Sequence, residues 1–191
     1  MIDIRNICHD KDTVSFHYHV NNPSLAFKEA AILRRNIMNN IFSYAINEVI
    51  FYKNESIHDD EFIAHRLGQL IPNIENLNVE NRQEGIFNVT GTGNINSDCI
   101  KGIDFVYNVP LFYLHDNKTV HFKVLLSRNC GAYHPNWNPV SGITFTNITD
   151  SIFLFKFKLI GLVSCDELIK QLLEFGTNSD FSYEKLEFTN T

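Results

Sequence analysis

Residues 58–72, HDDEFIAHRLGQLIP, contain the densest group of side chains that could bind a metal or move a proton. Five of them are histidines or acids: His58, Asp59, Asp60, Glu61 and His65. On a helix, His58 and His65 would be two turns and about 10.5 Å apart along the axis. That is too far for both imidazoles to reach one zinc ion at about 2.0–2.1 Å. We therefore expect no metal here and interpret the acids as structural.

The same stretch has the features of a short capped helix. Asp59 at the cap position places Asp60 and Glu61 in the first turn, where the helix dipole favours negative charge. Gly68 and Pro72 then close the segment. Apolar residues at spacings of four and three predict one buried stripe: Ile63, Leu67 and Leu70.

Cys130 and His134 are the best candidates for a thiol nucleophile and its base. They lie in a segment rich in turn-forming residues, and nothing nearby in the sequence activates the thiol. The cysteines are dispersed and form no CxxC pair: Cys8, Cys99, Cys130 and Cys165. A metal-dependent or thiol enzyme, using the cluster from His58 to Glu61 or the pair Cys130 and His134, is the alternative to the function inferred below.

Composition limits the classes of protein further. The 191 residues are 44% apolar, without the apolar run of about 18 residues that a membrane span needs. The N-terminus is charged from Asp3 onward, unlike a signal peptide, so we expect an intracellular protein with reduced cysteines. A net charge of −6 offers no basic surface for direct contact with nucleic acid.

Hydrophobic periodicity predicts an α+β fold. Residues 13–20, TVSFHYHV, and 119–127, TVHFKVLLS, alternate as half-buried strands do, and residues 46–54 and 151–161 also indicate strands. Asn22 and Pro23 are typical of a helix start. The helix that follows, LAFKEAAILRRNIMNNIFSYAI, has an apolar face wide enough for its own sheet and a second subunit: Ala30, Leu33, Ile37, Ile41 and Phe42.

A second helix closes the fold. Ser164 and Glu167 form a capping box, and Gly176 ends the helix. Its apolar stripe comprises Leu168, Ile169, Leu172 and Leu173. One small sheet cannot cover two such helices completely, so we expect part of their apolar faces to form an exposed patch.

Three blocks resemble the alpha-like subunits of multisubunit RNA polymerases: bacterial alpha, its archaeal counterpart and the third-largest subunit of eukaryotic RNA polymerase II. The first is LAFKEAAILRRNIMNNIFSYAINEV at residues 25–49, with its Leu-Arg-Arg. The second, DEFIAHRLGQLIP at residues 60–72, is very close to the archaeal and eukaryotic form. The third, residues 111–145, is similar to the family's strand, glycine turn and His-x-x-Trp segment.

The resemblance implies a discontinuous dimerisation domain, an antiparallel sheet with two helices, from residues 1–46 and 147–191. A mainly β insert domain would comprise residues 47–146. The family's members of this type are non-catalytic. They pair with a smaller alpha-like subunit, and the dimer is the platform for the second-largest and largest polymerase subunits.

The resemblance also implies which residues meet those partners. Five apolar residues of the two helices are expected at the interface with the small subunit: Leu33, Ile37, Ile41, Leu168 and Leu172. Arg34 and Arg35 project away from this stripe and are expected to contact the second-largest subunit, where a guanidinium can bridge carboxylates or carbonyls.

Two departures from the family pattern matter. Many relatives carry a metal-binding cysteine cluster in the insert, where this sequence has only Cys99, so we expect no metal or other cofactor. The turn between Gly131 and His134 is two residues shorter than usual and lacks the usual basic pair. A compact, Asn-rich chain suits an AT-rich virus or cytoplasmic plasmid that encodes its own polymerase.

Overall fold

The computed structural model describes residues 2–20, 22–74 and 83–177. Within these ranges the chain alternates antiparallel strands with a few helices, so the predicted α+β class is confirmed. The helices and strands, in chain order, are β1 Asp3–Asp10, β2 Thr13–His19, α1 Ala26–Asn39, β3 Phe42–Asn54, α2 Asp60–Leu67, β4 Glu84–Asn96, β5 Pro110–Cys130, β6 Val140–Thr149, β7 Ile152–Leu159 and α3 Cys165–Thr177. No helix in the described ranges is long and apolar enough to cross a bilayer.

A four-stranded antiparallel sheet joins the two ends of the described chain. Its order is β1, β2, β7, β6, so the strands predicted at 13–20 and 151–161 are direct neighbours. Phenylalanines alternate inward along these strands and stack across the sheet. The ring centroid of Phe155 lies 5.3 Å from that of Phe16 and 5.4 Å from that of Phe145.

A three-stranded antiparallel sheet contains the middle of the chain. Its order is β3, β5, β4, with the long β5 at the centre, and α2 packs against β3 and β5. Phe87 and Phe122, on β4 and β5, stack with ring centroids 4.5 Å apart and planes 6° from parallel. This sheet therefore has its own aromatic centre, separate from that of the four-stranded sheet.

The buried apolar residues accordingly form two clusters. The first cluster draws on residues 2–41 and 140–172, and the second on residues 46–126. β6 belongs to the four-stranded sheet although it begins at Val140, before the domain boundary predicted at residue 147. The predicted domain limits themselves stay a prediction.

The long helix is shorter than its apolar pattern indicated. α1 ends at Asn39, and Asn40 caps it with its backbone N–H on the carbonyl of Asn36. Phe42, predicted on the helix, is instead the first residue of β3. Two consecutive asparagines, which are weak helix formers, are followed by a run of aromatic and β-branched residues that favours a strand.

Candidate assembly surface

The apolar residues predicted at the partner interface lie inside this chain's own first cluster. Their exposed fractions are between 0% and 1% for all five: Leu33, Ile37, Ile41, Leu168 and Leu172. The expectation that they form an exposed patch is therefore wrong. The reason is that the phenylalanine-rich strands cover both helices, with α1 packed over β6. Any surface for a partner must be formed by their exposed neighbours.

Such neighbours line a groove of about 500 Å³ between α3 and the edge strand β1. Leu173 on α3 is 44% exposed and Ile7 on β1 is 47% exposed, with Ile169 at the base. Lys170 also lines the groove. Burial, assisted by the adjacent Asp166, raises the pKa of the Cys165 thiol, which therefore stays protonated at neutral pH. The groove is thus largely apolar with a charged rim.

Arg34 and Arg35 are both exposed on α1, away from the buried face. Arg34 Nε donates to the carbonyl of Ile143 on β6, at 3.3 Å. This contact holds the guanidinium end of the Arg34 side chain against the four-stranded sheet. The predicted contact of these arginines with a large subunit stays a prediction.

The end of α1 meets the glycine turn of the third block. A Cβ on Gly131 would collide with the carbonyl oxygen of Met38, so the turn approaches the helix as only glycine allows. The next residue, Ala132, donates its backbone N–H to Asn39 O at 2.9 Å. The first and third blocks are therefore joined backbone to backbone.

The second block reaches the same place through Gly68, which follows α2. A Cβ there would come within 2.7 Å of Asn136 Nδ2. The adjacent Trp137 is buried and donates Nε1–H to Ser127 O at 3.0 Å, while its own carbonyl accepts from Ser43 Oγ at 2.7 Å. All three blocks thus converge on the segment from Gly131 to Trp137, which we call the junction.

The acidic cluster at the start of α2 has the structural role predicted for it. Asp59 Oδ1 accepts from the backbone N–H of Phe62 at 3.2 Å, which confirms the predicted cap. Asp60 Oδ1 accepts from Asn54 Nδ2 at 2.7 Å, and the His58 ring stacks on Phe62 at 4.5 Å. These contacts give His58, Asp59 and Asp60 structural roles at the start of α2.

Cys130 and His134 are likewise engaged in the turn. His134 Nδ1 accepts from the backbone N–H of Asn136 at 3.2 Å and so caps the short 3₁₀ turn Pro135–Trp137. Cys130 ends β5, paired with Phe42 of β3. Across residues 2–20, 22–74 and 83–177, histidines, cysteines and acids form no group of three that could hold a metal ion.

Comparison of the sequence with those of known proteins shows which proteins this chain is similar to. No protein-family profile matches the chain. Three archaeal proteins named DNA-directed RNA polymerase subunit Rpo3 are similar to it. The one from Methanocaldococcus jannaschii is 25% identical over 156 residues, 79% of this chain and 80% of the relative. The one from Pyrococcus horikoshii is 26% identical over 185 residues, 90% of this chain and 68% of the relative.

The third, from Pyrococcus furiosus, is 28% identical over 123 residues, 58% of this chain and 47% of the relative. The predicted resemblance to alpha-like RNA polymerase subunits is confirmed. In this chain, the fold brings the three resembling blocks to one junction, although they are spread over 121 positions from residue 25 to residue 145.

Sequence reasoning missed one residue at the edge of the first cluster. Gln171 is only 5% exposed, and its side-chain amide bonds both the N–H and the carbonyl of Phe42. Gln171 lies three residues after the buried Leu168, a core spacing on a helix. A glutamine on the apolar face of a helix predicts a buried side chain with hydrogen-bond partners, because buried polar groups are almost always hydrogen-bonded. This was the signal in the sequence that could have identified Gln171.

Proposed function

We propose that the chain is a non-catalytic assembly subunit of a DNA-directed RNA polymerase. In this proposal it pairs with a smaller alpha-like subunit and forms the platform for the two large catalytic subunits. One observation carries the proposal: proteins named as one polymerase subunit, Rpo3, are similar to it over as much as 90% of its length. The junction supports it, because there the resembling blocks are tied together by structural contacts.

We propose the division into two domains on the same basis. The prediction assigned residues 1–46 and 147–191 to the dimerisation domain and 47–146 to the insert, and the presence of two buried clusters supports a division into two units, although Val140 and Ile143 belong to the first cluster. Since β6 pairs with β7 in the four-stranded sheet, we place the second boundary close to Val140.

The surface proposed for the small partner is the groove between β1 and α3. Its floor is continuous with the first cluster through Ile169, and Leu173 and Ile7 stand exposed on either side. A partner that offers an apolar helix would bury both side chains, which favours binding by about 25 cal/mol per Å² of apolar surface covered.

Leu173→Asp should weaken pairing with the small subunit at least tenfold without unfolding the chain. The leucine is half exposed, so the change leaves the core intact but places a carboxylate in a surface that must be desolvated on binding. Affinity would be measured by isothermal titration with the purified small partner. The matched control is Ile148→Asp on β6, a similarly exposed residue away from the groove. Equal affinities for the two variants would show that the small partner binds somewhere other than this groove.

Purification of the tagged native chain should recover two very large polymerase subunits in constant proportion, as identified by mass spectrometry. Arg34→Glu and Arg35→Glu, made separately, should lower the recovery of the second-largest subunit several-fold, because reversed charge repels the groups that a guanidinium binds. Separate variants are needed since Arg34 also bonds Ile143.

Lys28→Glu provides the control for the arginine variants, since it reverses an exposed charge at the other end of α1. Unchanged recovery with both arginine variants would show that these arginines do not contact the second-largest subunit. Absence of large subunits from every native preparation would instead refute the assembly role itself.

A further inference from the structure

We propose that Gln171, with Glu167, Arg128 and Phe42, forms a brace that fixes α3 against the three-stranded sheet and so positions the groove for a partner. The part of this inference that concerns the partner rests on the proposed function. Gln171 Oε1 accepts from the N–H of Phe42 at 2.8 Å, and its Nε2 donates to the carbonyl of Phe42 at 3.2 Å. Both backbone groups of one residue are thus bonded by one side chain.

The position of Phe42 explains why such a side chain is needed. Phe42 begins β3, which is an edge strand because the sheet order is β3, β5, β4. Along an edge strand, backbone groups that face away from the neighbouring strand have no ladder partner. The Gln171 amide supplies a donor and an acceptor as a peptide group would, and so takes the place of a further strand over one residue.

Glu167 determines which way the amide of Gln171 points. Glu167 Oε1 lies 3.0 Å from Gln171 Nε2, and an ionised carboxylate can only accept. The nitrogen of the amide is therefore held on the side of Glu167 and of the Phe42 carbonyl, and its oxygen faces the Phe42 N–H. Ser164 Oγ accepts from the Glu167 backbone N–H at 3.2 Å, so the helix cap holds Glu167 in turn.

Arg128 closes the network from β5. Its guanidinium lies 5.4 Å from the centroid of the Phe42 ring and 3.8 Å from Glu167 Oε1. Both charged side chains are close to half exposed, so their ion pair is weakened by solvent and contributes little. The buried amide of Gln171 is therefore the dominant member of the brace, and Arg128 and Glu167 support it.

The brace lies between the two buried clusters. Leu168 and Leu172, adjacent to Gln171 in the chain or one turn away, belong to the first cluster, whereas Phe42 begins the sheet that encloses the second. Leu173 of the groove is two residues beyond Gln171, and Gln171 itself is not part of the groove lining. We therefore assign Gln171 as a positioning residue, which acts on the groove by fixing the helix that carries it.

Hydrogen exchange on the full-length chain tests the brace without any partner. Gln171→Met keeps the length of the side chain but removes both bonds, so the Phe42 amide should exchange roughly ten- to a hundredfold faster. Amides of β2 and β7 should keep their protection, which separates this effect from general unfolding. An unchanged rate at Phe42 in this variant would overturn the brace.

Gln171→Glu provides a second variant with a readout that packing alone would not change. When ionised, the new carboxylate can still accept from the Phe42 N–H, but it cannot donate to the Phe42 carbonyl and is repelled by Glu167, with Arg128 offsetting part of the repulsion, so the brace as a whole is loosened. When protonated, it regains a donor, so protection at Phe42 relative to the unaltered chain should fall at pH 7 and recover towards pH 5. A relative protection that does not change with pH would contradict the proposed bonds.

Binding of the small subunit separates this inference from the proposed function. Gln171→Met should reduce affinity for that subunit several-fold, although it does not alter the groove lining. Faster exchange at Phe42 with unchanged affinity would overturn the positioning role. If the unaltered chain binds no polymerase subunit, the proposed function fails, while the exchange experiments still decide whether the brace exists.

Discussion

Ile41→Asp should prevent the chain from folding, whether or not a partner is present. Ile41 is 0% exposed and belongs to the first cluster. The substitution forfeits about 1.5–3 kcal/mol of apolar burial, and a buried carboxyl costs a few kcal/mol more, even if it becomes protonated. Together these approach the total stability of a typical domain, about 5–15 kcal/mol. Circular dichroism and urea unfolding of the purified variant would measure the effect.

Ile41→Val is the matched control, because it removes one methylene group and adds no charge. It should lower the free energy of unfolding by only about 0.5–1.5 kcal/mol. Ile41→Asp could instead fold with an unaltered urea midpoint and no longer pair with the small subunit. That result would show that Ile41 lies at the partner interface.

Gly131→Ala should be the most damaging single methyl addition in the junction. The new Cβ would collide with the Met38 carbonyl oxygen, which is backbone at the end of α1 and cannot rotate away. Overpacking of this kind costs about 1–3 kcal/mol and occasionally more. The turn would have to withdraw from α1, which would also break the bond from the Ala132 N–H to Asn39 O. Differential scanning calorimetry would measure the resulting loss of stability during thermal unfolding.

Gly91→Ala on β4 is the corresponding control, since a Cβ there meets nothing within 4 Å. Its melting temperature should stay within a degree or two of that of the unaltered chain, because surface substitutions usually change stability by no more than about 0.5 kcal/mol. Equal losses for the two variants would mean that the approach of Gly131 to Met38 does not contribute to stability.

Local patterns in the sequence were sufficient for the elements that local chemistry determines. Alternation located β2 and the centre of β5, Asp59 was recognised as a helix cap, and Ser164 accepts the Glu167 N–H as the capping box predicted. The end of α1 was misjudged because Ile41 and Phe42 continue the helical apolar spacing. Two asparagines and the partner strand β5 decide that segment, and periodicity carries no information about a partner strand.

The candidate surface was harder to predict than the elements. Leu33 and Leu168 were correctly assigned to apolar helix faces, but their exposure depends on how much of each face the sheet covers. Coverage follows from the inward-facing phenylalanines of strands distant in the chain, such as Phe16 and Phe155. The brace at Gln171 depends on a similar long-range meeting, with Phe42 lying 129 residues away in the chain.

The pairing of β2 with β7 means that the four-stranded sheet can be completed only late in synthesis. Every strand of the three-stranded sheet has been translated by Cys130, whereas β7 begins only at Ile152. Domains tend to fold as units while the chain emerges, and contacts between distant segments form slowly. The middle of the chain can thus fold first. Until β6 and β7 have been synthesised, the hairpin of β1 and β2 and the apolar face of α1 stay exposed. During that interval we expect these uncovered apolar surfaces to be prone to aggregation and accessible to a chaperone.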